Sequence, residues 1–148
     1  MSKSNTFEND LMLLLFNNTA IANIGDAGGL RATVTAGSLW WSLYTADPGE
    51  AGTAITSETA YTNYVRVAAA RASGAGGFTV TDNSVSPPAN IDFAECGATA
   101  GAPITHFGIV STASGAGKLL YSGTVTPNIT MATGVIPRLK TTSTITED

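Results

Sequence analysis

Cysteine and histidine are nearly absent from this chain: among 148 residues only Cys96 and His106 represent them. A single cysteine allows no intrachain disulfide, and no Cys/His set with zinc spacing exists. Charge is scarce as well, at 12% of residues, with seven basic against eleven acidic giving a net charge of −4. No window concentrates Lys or Arg, so no basic patch neutralises a phosphate backbone, and direct nucleic-acid binding is not expected. Long hydrophobic runs are also missing. The run LMLLLF, Leu11 to Phe16, spans six residues, well short of the roughly 18 that cross a bilayer, so no membrane partner is expected. Lys3 before that run and Ala20-Ile21-Ala22 after it imitate a signal peptide, but Glu8 and Asp10 stand where the basic region belongs, so no secretory leader is expected.

What the chain does contain favours strands and turns. Hydrophobic residues make up 43%, many of them Ala, and the polar remainder is mostly Thr, Gly, Ser and Asn. Near the N-terminus, Phe7, Leu11, Leu14 and Leu15 recur at helical spacing after the capping pair Asn5 and Glu8, which predicts a short helix over 6–16 that ends at Asn17-Asn18. The helix either docks on a neighbour or plugs its own domain. A Gly-rich stretch follows, with a short strand expected at Arg31 to Thr35. From Ser38 the period becomes two: Leu39, Trp41 and Leu43 share one face, and Trp40, Ser42 and Tyr44 share the other. Asp47-Pro48-Gly49 then makes a tight turn. Further strands are expected at Tyr64 to Arg71, Phe78 to Thr81, around Ile91 and Phe93, at Ile104 to Ser111, Lys118 to Thr126, Asn128 to Met131 and Leu139 to Thr146. Ser86-Pro87-Pro88 reads as a break, and Pro137 belongs at a strand start or edge. Short strands punctuated by turns, with one N-terminal helix and no βαβ alternation, give a mainly β chain: an antiparallel β-sandwich or a jelly-roll-like barrel. The expected division is an N-terminal helix and Gly-rich arm over 1–37 and a β-domain over 38–148.

No catalytic or cofactor pattern emerges. His106, in THFGI on an expected strand, lacks a neighbouring carboxylate or second ligand in sequence. Ser114-Gly115-Ala116-Gly117-Lys118 superficially suggests a phosphate loop, but Thr112 replaces the first Gly and Leu119 replaces the hydroxyl residue after the Lys. No GxSxG nucleophile elbow occurs. A Cys96–His106 thiol pair has no identifiable oxyanion environment. Asp47, Glu50 and Glu58 match no calcium-loop spacing, and a solvated acidic loop is the expectation. Asn17-Asn18-Thr19 and Asn128-Ile129-Thr130 fit the glycosylation pattern, which is frequent by chance. No metal or cofactor and no enzymatic activity are expected.

The order of segments carries a resemblance. SLYTADPGEAGT, YTNYVRVAAARASGAGGF, NIDFAEC, ITHFGIVSTASGAGKLLYSGTV and the Thr-rich end TTSTITED resemble a family of small structural proteins of tailed bacteriophages. The likeness runs over residues 38–148 and is most specific from Thr105 to Gly123. Members often carry a tail fibre label, yet the chain has no repeats of the kind long fibre shafts show. The resemblance implies a capsid decoration, or cement, protein on the outer capsid surface of the virion. Its partners would then be the major capsid protein and itself, as a homotrimer. A tail fibre or baseplate host-recognition module and a tail or neck component are the alternatives. Phe7, Leu11 and Leu15 of the helix, or Trp40 and Tyr44 of the aromatic strand, are the expected subunit contacts, with Trp41 packing the core.

Overall fold

In the computed structural model, which describes residues 2–147, Ser4 starts the first element. Its Oγ accepts from Phe7 N–H at 3.4 Å and its carbonyl from Glu8 N–H at 3.0 Å, so the cap stands one residue before the expected Asn5. Helix α1 (Asn5–Asn17) ends at Asn18, whose φ of 53° is left-handed, as its Asn-Asn ending predicts. Glu8, Met12 and Phe16, each four residues apart, form the buried stripe. The expected apolar spacing had put Phe7, Leu11 and Leu15 on the docking face; the helix is rotated by about one residue from that reading.

The chain divides into two compact units. One comprises Met1–Ser38, Ala69–Asn90 and Lys140–Asp148; the other comprises Leu39–Ala68 and Ile91–Leu139. The chain passes between them after Ser38, Ala68, Asn90 and Leu139, so the helical segment shares its unit with two later stretches.

In the first unit, α1 accompanies an antiparallel sheet of order β3-β4-β9, built from β3 (Thr79–Thr81), β4 (Ser84–Ser86) and β9 (Ile145–Thr146). Val80 lies opposite Val85, which in turn lies opposite Ile145. Phe16 meets Phe78 edge to face at 4.9 Å, and Met12, Phe16, Phe78 and Val85 are almost wholly buried; each such side chain contributes about 1.5–3 kcal/mol. Strand β4 is the element that the Ser-Pro-Pro break concealed. The Asp82-Asn83 turn between Val80 and Val85 is the hairpin signal for it. The strand expected at Arg31 to Thr35 does not form. Its backbone is engaged by a side chain instead: Asn18 Nδ2 donates to Thr33 O at 2.8 Å, and Asn18 Oδ1 accepts from Thr33 N–H at 3.0 Å. Arg71 closes α1 from a distance, its Nε and Nη2 donating to the carbonyls of Leu15 and Leu14 at 2.7 Å each. Those carbonyls have no partner within the helix, and the positive charge suits a helix C-terminus. Gly29 is dictated by space: at φ +58°, a Cβ there would come within 1.8 Å of Ile21 O, where Ile21 and Leu30 pair as a bridge.

The second unit is organised by the sheet β2-β1-β6-β7, with β1 (Ser38–Tyr44), β2 (Val67–Ala70), β6 (Ile104–Val110) and β7 (Leu119–Ile129); the unit boundary falls within β2. The β1–β6 register sets Trp41 opposite Ile109 and Leu43 opposite Phe107. Trp41, Leu43, Ile104, Ile109 and Val110 are fully buried, so β1 and β6 are the apolar centre of the sheet. The strands expected at Lys118 to Thr126 and Asn128 to Met131 are one strand, β7, in which Pro127 is tolerated because β7 is the sheet edge. A short antiparallel pair, β5 (Ile91–Asp92) with β8 (Arg138–Leu139), completes the unit. The single strand expected from Leu139 to Thr146 is divided between β8 and β9, with a turn at Thr141-Thr142. The fold is mainly β and antiparallel, sandwich-like, without a closed barrel among the described residues.

Candidate interaction surface

The segment after β1 leaves the sheet through Asp47-Pro48-Gly49, where Asp47 Oδ1 accepts from Gly49 N–H at 2.9 Å and Gly49 has φ +68°. It returns beside β1: Thr45 N–H donates to Ser57 O at 2.9 Å and Thr59 N–H to Leu43 O at 3.0 Å. This return places Glu58 opposite Tyr44. There Glu58 meets Arg66, whose side chain is 2% exposed. Arg66 Nε donates to Glu58 Oε1 at 2.6 Å and Nη2 to Oε2 at 2.7 Å, a two-pronged pair.

The rest of the guanidinium fixes two loops. Nη1 donates to Thr112 O at 2.9 Å and Thr112 Oγ1 at 3.0 Å. Nη2 also donates to Ala54 O at 3.1 Å and Gly115 O at 3.0 Å. Residues 46–57 and the β6–β7 hairpin tip, 111–118, are therefore pinned to one cation, and Ala54 N–H links them directly by donating to Gly117 O at 3.0 Å. Three tyrosines surround this frame. Tyr64 OH donates to Glu58 Oε1 at 2.9 Å and accepts from Leu43 N–H at 3.1 Å. Tyr44 OH donates to Ala54 O at 3.2 Å and accepts from Ser42 Oγ at 3.0 Å. Tyr61 OH donates to Ala94 O at 2.9 Å. Burial raises the pKa of all three phenols, that of Tyr61 to about 12, because the phenolate would lose its hydration. The Arg66 guanidinium is held still more firmly in its charged form by the hydrogen bonds to Glu58.

A signal for this frame is present in YVRV: Tyr64 and Arg66 stand two apart on one side of an extended segment, so a cation is directed inward among apolar residues. The partner, Glu58, could not be identified, because pairing it with Arg66 depends on where the return segment runs. Asp47, Glu50 and Glu58 do not act together. Asp47 shapes its own turn and Glu58 is committed to Arg66 and Tyr64; among the described residues no three His, Cys, Asp or Glu side chains gather as a metal site. The buried Cys96 thiol faces the carbonyls of Gly97 and Thr99. His106 Nδ1 shares a hydrogen bond with Thr105 Oγ1 at 2.8 Å.

The expected contact residues are distributed as follows. Phe7 is exposed, while Leu11, Leu15 and Trp40 are half-buried. Tyr44 is a correction: it is wholly buried, drawn inward by its hydrogen bonds to Ala54 and Ser42, so its ring is not on the surface. Apolar side chains that are well exposed stand elsewhere: Ile55, Val65 and Ile136 in the second unit and Leu30 and Val34 in the first. A cleft of about 390 Å³ runs between Asp47, Gly49, Glu50 and Gly52 on one side and Leu119–Ser122 of β7 on the other.

The fold defines a mainly β, antiparallel, sandwich-like protein whose buried Arg66–Glu58 pair braces two of its own loops. Over residues 2–146 the chain matches the family described as Podophage GP4 fiber I protein gp80, and it belongs to that family. Membership places it among the structural proteins of bacteriophage virions, and the match takes in the N-terminal helix together with the β-rich remainder. No curated protein matches the chain.

Proposed function

We propose that this chain is a non-enzymatic component of the phage virion that works by binding, to copies of itself and to a neighbouring virion protein. The family match carries the reading, and its description favours a place in a fibre. The braced loops support it: the Arg66 frame pre-organises two loops at one end of a sheet, which lowers the ordering entropy that binding costs.

Capsid decoration is the second reading, favoured by the absence of internal repeats over residues 1–148. In that role the chain would clamp adjacent major capsid subunits on the outer surface, adding its binding free energy only to the assembled shell. The homotrimer that the resemblance implies is one closed form of self-association. Shearing tails from purified virions and quantifying the chain by mass spectrometry in each fraction separates the readings. Recovery with tails supports the fibre and recovery with capsids supports decoration. Absence from both fractions overturns the structural reading.

A further inference from the structure

We infer that the first half of α1 and the β3–β4 turn together form a binding site for calcium, which ties the helix to the turn. Within the first unit, an open cavity of about 560 Å³ is lined by Asn5, Thr6, Asn9 and Asp10 of α1 and by Asp82 and Asn83 of the turn. Each of these side chains carries an oxygen, and none is basic or apolar. The helical members are three to five residues apart, so they gather on one side of α1, next to the buried stripe of Glu8, Met12 and Phe16.

Several of these oxygens stand ready for a ligand. Asn9 Oδ1 is sealed from water and accepts no hydrogen bond, a costly state for a polar atom. Asp10 and Asp82 have no counter-ion: among the described residues the ion pairs are Lys3 with Glu147, Arg66 with Glu58 and Arg138 with Asp92. Asn83 Nδ2 donates to Glu147 O at 2.9 Å, which leaves the Asn83 Oδ1 as an acceptor.

Two carboxylates with amide and hydroxyl oxygens, and no nitrogen or sulfur donor, are the ligand chemistry of a hard cation. Calcium takes about six to eight oxygens from carboxylates, amide carbonyls and water, at about 2.3–2.6 Å. The charges of Asp10 and Asp82 balance its own. Calcium also sits closer to an oxygen than a water does at about 2.8 Å, so it reaches Asn9 Oδ1 where water does not. Magnesium demands a near-ideal octahedron at about 2.0–2.1 Å and keeps its waters, which a broad set drawn from two elements serves poorly. An anion is attracted by the N-terminal half of a helix, but here it would meet both carboxylates. With only two acids, and the other oxygens from Asn and Thr, the site escapes a search for three clustered His, Cys, Asp or Glu side chains.

The inference concerns the first unit and does not depend on where in the virion the chain sits. Titration calorimetry of the intact chain with calcium chloride tests it, together with thermal unfolding in about 10 mM calcium or in EDTA at matched ionic strength. The expected result is one calcium per chain with a Kd of about 0.1–1 mM and a melting temperature raised by about 3–10 °C. Magnesium at the same concentration should raise it less. Asp10→Asn/Asp82→Asn should abolish the calcium response yet melt in EDTA no lower than the natural chain, since neither carboxylate has a counter-ion to lose. A natural chain that shows neither binding nor a shift overturns the inference. So does a shift that magnesium matches or that the double variant keeps, because that is screening of the net charge of −4 rather than a site. If the double variant fails to fold, Asp82→Asn alone decides, since Asp82 is exposed. Calcium binding weakened at least tenfold supports the site, and any smaller effect overturns it.

Discussion

Removing the Glu58 carboxylate should be among the most damaging single changes in the second unit. In Glu58→Ala, Arg66 keeps its carbonyl partners at Thr112, Ala54 and Gly115 but loses both bonds to a counter-ion while its side chain is 2% exposed. A buried charge left without its partner costs about 3–5 kcal/mol. The Glu58 side chain is itself 15% exposed, so water reaches the vacated space and the lower end of that range applies. At about 2–4 °C per kcal/mol for a chain of this size, the melting temperature falls by about 6–12 °C. Urea denaturation followed by tryptophan fluorescence measures the loss. Amide hydrogen exchange should show Ala54, which donates to Gly117 O, losing protection beyond the global change, because both loops hang on the same cation. The paired variant Glu58→Met/Arg66→Met should lose less than the sum of its single changes. A loss below about 1 kcal/mol for Glu58→Ala would refute the reasoning, since that is the behaviour of a solvent-screened surface pair.

Arg71→Ala leaves the carbonyls of Leu14 and Leu15 without the guanidinium. It should cost about 1–3 kcal/mol and lower helical ellipticity, with Arg71→Lys restoring part of the loss because one ammonium replaces a fork. Tyr44, Tyr61 and Tyr64 have raised pKa values, so the folded state holds their protons above pH 10 while the unfolded chain releases them. Their contribution to stability is complete below pH about 10 and is lost as pH climbs toward 12. Ultraviolet difference spectra should show these phenols ionising only as the chain unfolds. Asp92, bonded by Arg138, has its pKa lowered below the ordinary 3.8 by that hydrogen bond. Its stabilising effect is present at neutral pH and is lost only as acid protonates it. In Arg138→Ala, NMR titration should return Asp92 toward its ordinary value.

The strands that the sequence located well are those with strict alternation and bulk, above all β1 and β6, whose side chains fill the core of one sheet. Position along the chain is easier to read than partnership. The Arg31 to Thr35 stretch looked like a strand because Val and Thr favour extension, yet Asn18, fifteen residues earlier, takes up the backbone groups of Thr33. The helix was legible and its buried face was not: Leu11, Leu14 and Leu15 outweigh Met12 in hydrophobicity, but Phe78 packs on Phe16, and that fixes the rotation. Tyr44 has the same lesson at a single residue. Alternation places it opposite Trp41, but only the return of the chain at Ala54 and Glu58 reveals that this second face is covered. The polar frame around Arg66 was half visible, since an Arg among valines announces a buried partner without naming it.

Cryo-electron microscopy of purified virions of the source phage tests the central claim most directly. Density fitting this β-rich chain is expected in multiple copies on the virion exterior, along a fibre or over the capsid surface, in contact with neighbouring structural proteins. Virions that lack the chain altogether, with the protein found only free in the infected cell, would contradict it.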